Sequence, residues 1–101
     1  MVDDFSVTRV AERSWTVEGE LDLATAPQLQ AALLSEAEPG DLRLDCVGLR
    51  FMDSQGVRTL LRVASARPPG GELVLQRLTP EVRRIAELVQ LGSIPGIRVE
   101  D

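Results

Sequence analysis

Polar and apolar residues fall into two rhythms along this chain. Residues 5–10 alternate, with Phe5, Val7 and Arg9 on one face, and residues 14–18 alternate again with Trp15 and Val17 turned the same way. A period of two puts every other side chain on one side of an extended backbone, so both stretches are predicted strands. Ala11, Glu12 and Arg13 between them supply the turn of a hairpin. The alternation breaks over residues 19–24. Thr25-Ala26-Pro27-Gln28 then has the make-up of a capping box, with Thr25 as N-cap, proline in the first turn and Gln28 three residues on. The helix it opens buries Ala26, Leu29, Ala32 and Leu33 and ends near Glu36, because Pro39-Gly40 breaks it.

Residues 41–49 read as the central strand. Leu42, Leu44 and Cys46 share a face, and Val47 and Leu49 finish a nearly continuous apolar run, the pattern of a strand covered by helices. From Ser54 to Ala66 the rhythm is helical, with Val57, Leu60, Leu61 and Ala64 on one stripe and Arg58, Arg62 and Arg67 on the outer face. Pro68-Pro69-Gly70-Gly71 ends it. That glycine pair follows a helix and precedes a strand, the reverse of a phosphate-binding loop. Residues 72–76 form another strand. Thr79, Pro80 and Glu81 are the cap, first residue and first-turn acid of a third helix with the stripe Val82, Ile85, Ala86 and Val89, and Gly92 suits its C-terminal cap. Residues 97–99 make a short last strand or a tail packed on the sheet. The order β-β-α-β-α-β-α-β predicts an α/β fold: a small mixed sheet with helices packed mainly on one face, in a single domain spanning residues 1–101.

Composition narrows the chemistry. A net charge of −5 argues against nucleic acid as the main partner, since phosphate binding needs a basic face. No apolar run approaches the roughly 18 residues of a membrane span. Met1-Val2-Asp3-Asp4 has none of the basic and apolar character of a leader, and the single Cys46 fits a reducing compartment, so a cytoplasmic location is expected. The chain has neither His nor Lys. His-activated nucleophiles, His-containing zinc sites, Schiff-base lysines and the lysine of a phosphate loop are all excluded, and one cysteine builds no thiolate metal site. The expectation is a non-enzymatic protein without cofactor or metal. A minor enzymatic alternative, a small nucleotide hydrolase, would have to work from Asp22, Asp53 and Ser54 with a divalent cation.

The remaining chemistry sits at Asp53-Ser54, where the central strand hands over to the second helix. Both residue types cap helices, and Asp-Ser before a helix needs no other explanation. The same position lies at the positive end of the helix dipole, where a phosphate added to Ser54 would meet free N–H groups.

Val17-Glu18-Gly19-Glu20-Leu21-Asp22 with Thr25-Ala26-Pro27, Leu42-Arg43-Leu44-Asp45 leading into Phe51-Met52-Asp53-Ser54-Gln55-Gly56, then Gly70-Gly71-Glu72-Leu73 and Val82-Arg83-Arg84-Ile85-Ala86-Glu87-Leu88 together resemble the STAS domains of bacterial anti-sigma factor antagonists over nearly the full length. The resemblance implies a partner switch: the antagonist binds an anti-sigma factor that is also a serine kinase, releasing a sigma factor for transcription. Phosphorylation of the serine matching Ser54 discharges it, and a metal-dependent Ser/Thr phosphatase restores it. Asp53 matches the acid before the acceptor, and Asp22 matches the acid of a loop beside it. Asp22, Asp53, Ser54, Gln55, Gly56, Arg58 and Arg62 are the expected partner contacts, the two arginines if the second helix is the docking face. Gln55 departs from most members of the family, which have a second Ser or Thr there. It leaves open a non-kinase scaffold or sensor role, and the oligomeric state is open as well.

Overall fold

The computed structural model describes residues 5–100; the N-terminal tetrapeptide read above for a leader lies outside them. Five strands form one sheet in the order β1-β2-β3-β4-β5: β1 (Ser6–Ala11), β2 (Ser14–Leu21), β3 (Leu42–Met52), β4 (Leu73–Gln76) and β5 (Ile97–Glu100). Only β1 and β2 run antiparallel. The other neighbours are parallel, joined through α1 (Ala26–Leu34), α2 (Ser54–Ser65) and α3 (Pro80–Leu88).

Register explains the single core. Trp15 lies opposite Leu44, Leu42 and Leu44 oppose Leu73 and Leu75, and these meet Ile97 and Val99. The inward residues share one cluster with Leu29 and Leu33 of α1, Leu60 and Val63 of α2, and Val82 and Ala86 of α3. All three helices therefore cover the same face, as expected, and burying their apolar stripes is what holds such short helices in place. The other face, at the alternate register positions, carries polar and charged groups such as Thr16, Arg43, Asp45 and Arg98.

Several local expectations are corrected. β2 continues through Gly19 to Leu21, because Gly19 takes an inward position that carries no apolar side chain to betray it; its φ of 103° and a register shift beside it need glycine. β3 likewise runs on to Met52; alternation from Leu42, Leu44 and Cys46 points Val47 outward, and a bulge just past it brings Leu49 back to the core. Thr25 precedes α1 but makes no side-chain cap. Its hydroxyl donates to the Glu20 carbonyl at 2.7 Å and accepts from the Asp22 N–H at 3.0 Å, tying the β2–α1 loop together instead. Past α3 the left-handed position falls on Gln90, φ 54°, and Gly92 sits in a 3-10 turn, Leu91–Ser93.

Arg67 differs most from expectation. It lies beyond the end of α2, so the outer-face periodicity no longer applies, and it is buried. Its guanidinium donates to the carbonyls of Glu36 at 2.6 Å, Glu38 at 2.7 Å and Gly40 at 2.8 Å. Those carbonyls belong to the segment between α1 and β3, which has no ladder partners, and Arg67 satisfies them.

Candidate functional site

The site forms where two parallel strands end side by side. Leu21 pairs with Met52, and the Asp53 N–H donates to the Leu21 carbonyl at 3.1 Å. Asp22 and Asp53 therefore leave adjacent strand ends, although the sequence separates them by α1 and the whole of β3. Asp22 accepts the N–H groups of Ala24 at 2.9 Å and Thr25 at 3.2 Å through Oδ1, so it braces its own loop as well as flanking the site.

Asp53 is the cap of α2. With φ −108° and ψ −170° it is extended, and its Oδ1 accepts from the N–H groups of Gln55 at 2.9 Å and Gly56 at 3.1 Å. Ser54 is the first helical residue, not the cap, and it is exposed. One expectation changes with this. The N–H groups of Gln55 and Gly56 are already taken by Asp53, so a phosphate on Ser54 would not find them open. It would stand outward, beside a carboxylate.

Gly56, expected among the partner contacts, is buried. A Cβ there would sit 2.7 Å from Met52 Cγ and 2.8 Å from Leu21 Cγ, so glycine lets the first turn of α2 seat directly on the strand ends. Arg58 and Arg62 are exposed, and neither has an ion-pair partner among the described residues.

Two grooves flank the exposed turn. One, of about 290 Å³, runs between α2 and α3 and is lined by Met52, Asp53, Ser54, Val57, Leu88 and Val89 among others. The other, of about 340 Å³, runs between α1 and α2 and includes Leu23, Leu34, Gln55 and Arg62. Leu23 (71%), Leu88 (73%), Val89 (44%) and Leu34 (43%) are exposed apolar residues on these grooves. Clustered exposed apolar surface of this kind marks an interaction site. These four were missed because helical periodicity either assigned them to the core or passed over them. The readable signal was α1 itself, whose residues carry no charge.

Other titratable groups serve the scaffold. Asp45 lies inside β3 rather than at its end, and the Arg77 guanidinium bonded to it holds its carboxyl below the usual range. Burial pushes the Cys46 thiol up to about 12, as befits a core residue. Among the described residues no group of three His, Cys, Asp or Glu comes together to hold a metal ion, and no helix is long and apolar enough to cross a membrane.

Comparison with known proteins agrees with this architecture. Residues 9–97 match the family model described as Mlab, STAS domain. The chain is 39% identical over 81 residues to BtrV of Bordetella bronchiseptica, assigned as an anti-sigma factor antagonist, covering 77% of this chain and 70% of that protein. It is 31% identical over 83 residues to the anti-sigma-B factor antagonist of Bacillus subtilis, covering 80% of this chain and 76% of that protein. The fold matches the crystal structure of an anti-sigma factor antagonist from Mycobacterium paratuberculosis with a TM-score of 0.72 at 24% identity, over 95% of this chain and 86% of that one. A sheet with all helices on one face, an Asp-capped second helix and a model match over nearly the whole length lead to one conclusion: the chain belongs to the STAS domain family.

Proposed function

We infer that this chain is an anti-sigma factor antagonist acting in the cytoplasm, without catalytic activity of its own. It binds a serine-kinase anti-sigma factor over the first turn of α2, releases the sigma factor held there, and is discharged by phosphorylation at Ser54. A Ser/Thr phosphatase resets it. The relatives named as antagonists support the role. The observation that carries the switch is the exposure of Ser54 at the head of α2, beside the Asp53 carboxylate and at the lip of an apolar groove.

A phosphoserine adds about −1.5 to −2 charges. With Asp53 adjacent and Asp22 on the next strand end, the dianion concentrates negative charge at the docking face. It also hydrates a rim that binding has to dry. Both effects weaken the complex, and each tenfold loss of affinity corresponds to about 1.4 kcal/mol. Arg58, one turn along α2, moderates the charge.

The test is mass spectrometry after incubation with the cognate kinase and ATP, beside binding measurements. Phosphate is expected on Ser54; Ser54→Ala keeps binding and takes up no phosphate, and Ser54→Asp binds more weakly. Label on another residue defeats the assignment. Gln55 favours one second reading, a STAS scaffold or sensor that binds no kinase. Recovery of partners from the native cell without any kinase-like anti-sigma protein would select it.

A further inference from the structure

Of the three helices, only α1 has no charged residue. Apart from Gln28 and Gln30 its residues are all apolar, and a helix apolar on nearly every side is ordinarily covered. Yet Pro27, Ala31 and Leu34 face outward. With Leu23 they form one wall of the groove of about 340 Å³ between α1 and α2. The α2 wall supplies Gln55, Thr59 and Arg62, and Arg62 is the groove's only charged lining residue. The groove starts at Gln55, next to Ser54, while Ser54 itself lines the opposite groove. Whatever lies over Ser54 therefore reaches this groove without crossing bare surface.

We propose that the α1–α2 groove is a specificity contact for the anti-sigma partner. Its occupant is an acidic, apolar segment that sets a carboxylate against Arg62 and apolar side chains against Leu23 and Leu34. This rests on reading the chain as an anti-sigma factor antagonist. Charge complementarity picks the occupant: a lone guanidinium in an otherwise uncharged groove matches a carboxylate in bidentate geometry. The chain as a whole carries a net charge of −5, so an acidic segment is disfavoured on most of its surface and Arg62 fixes where it lands. Gln55, at the groove's mouth, tunes which segment fits without touching the acceptor hydroxyl across the helix.

The test measures affinity of the full-length chain for the full-length cognate anti-sigma factor by calorimetry. Arg62→Glu and Leu34→Asp are each expected to weaken binding at least about tenfold, and Arg84→Glu on α3 less than about twofold. Thermal melts confirm that each variant is folded. Exchanging the partner's facing acid for arginine should restore binding to Arg62→Glu. If either groove variant binds within about twofold of the parent while Ser54→Asp still weakens binding, the groove proposal falls and the antagonist reading stands. If the parent chain binds no anti-sigma factor, the antagonist reading fails and takes this proposal with it. Sedimentation of the chain alone runs alongside: a dimer dissolved by Leu34→Asp would give the groove to a second copy and overturn the assignment.

Discussion

Gly56 sets the geometry of the site from beneath. Its hydrogen is all that separates the first turn of α2 from Leu21 and Met52, the last residues of two strands. Gly56→Ala forces those side chains aside, and overpacking of this kind costs about 1–3 kcal/mol. Urea unfolding of the variant should show that loss; a variant as stable as the parent would mean that Leu21 and Met52 yield without strain. Asp53 and Ser54 were legible as a pair from sequence, because capping involves groups only two or three residues apart. Their division of labour was not. Backbone conformation decided that Asp53 caps, and with the nearby N–H groups occupied, Ser54 faces outward at the first helical position.

At the scale of elements, Arg67 staples the end of α2 to the segment between α1 and β3. Three carbonyls receive one guanidinium, and its burial keeps water from replacing it. A hydrogen bond to a charged group contributes about 1.5–3 kcal/mol, and an acceptor left buried costs a similar amount. Arg67→Ala is therefore expected to destabilise the fold by about 3 kcal/mol in urea unfolding, against under about 0.5 kcal/mol for Arg84→Ala on the exposed side of α3. Comparable losses for the two would refute the staple. The helical stripe was read two residues too far, since α2 stops at Ser65; a charge just beyond a helix end follows the loop rather than the helix face.

Across the whole molecule, Glu36 joins elements distant in sequence. Its Oε1 accepts from Arg9 Nε at 2.6 Å on β1, from Trp15 Nε1 at 3.0 Å on β2 and from the Arg13 N–H at 3.2 Å in the hairpin turn. The Arg9 bond is the chief reason its carboxyl is held below the ordinary value. A carboxyl with a depressed folded pKa adds stability that is present above its unfolded pKa and is lost as pH falls through the folded one. Asp45, held down by Arg77, acts in the same direction. Melting temperature should therefore drop as pH falls below about 4, and Glu36→Gln should start lower at neutral pH and drop less. Parallel profiles for parent and variant would show that Glu36 is not among the groups responsible.

Short-range patterns were enough to order the elements. Alternation, helical stripes and capping residues concern neighbours a few positions apart, so five strands, three helices and the Asp-Ser handover could be read from the chain alone. Long-range pairing decided the rest. Gly19 hid the continuation of β2, and a bulge in β3 returned Leu49 to the core. The buried charges Glu36 and Arg67 look like surface residues until their partners arrive from other elements. Only the parallel pairing of β2 with β3 brings Asp22 beside Asp53, and only the seating of three helices on one face leaves Leu23, Leu34, Leu88 and Val89 on grooves around Ser54. Side-chain type is written locally, whereas burial and proximity depend on which distant segments meet, and that is a property of the folded chain.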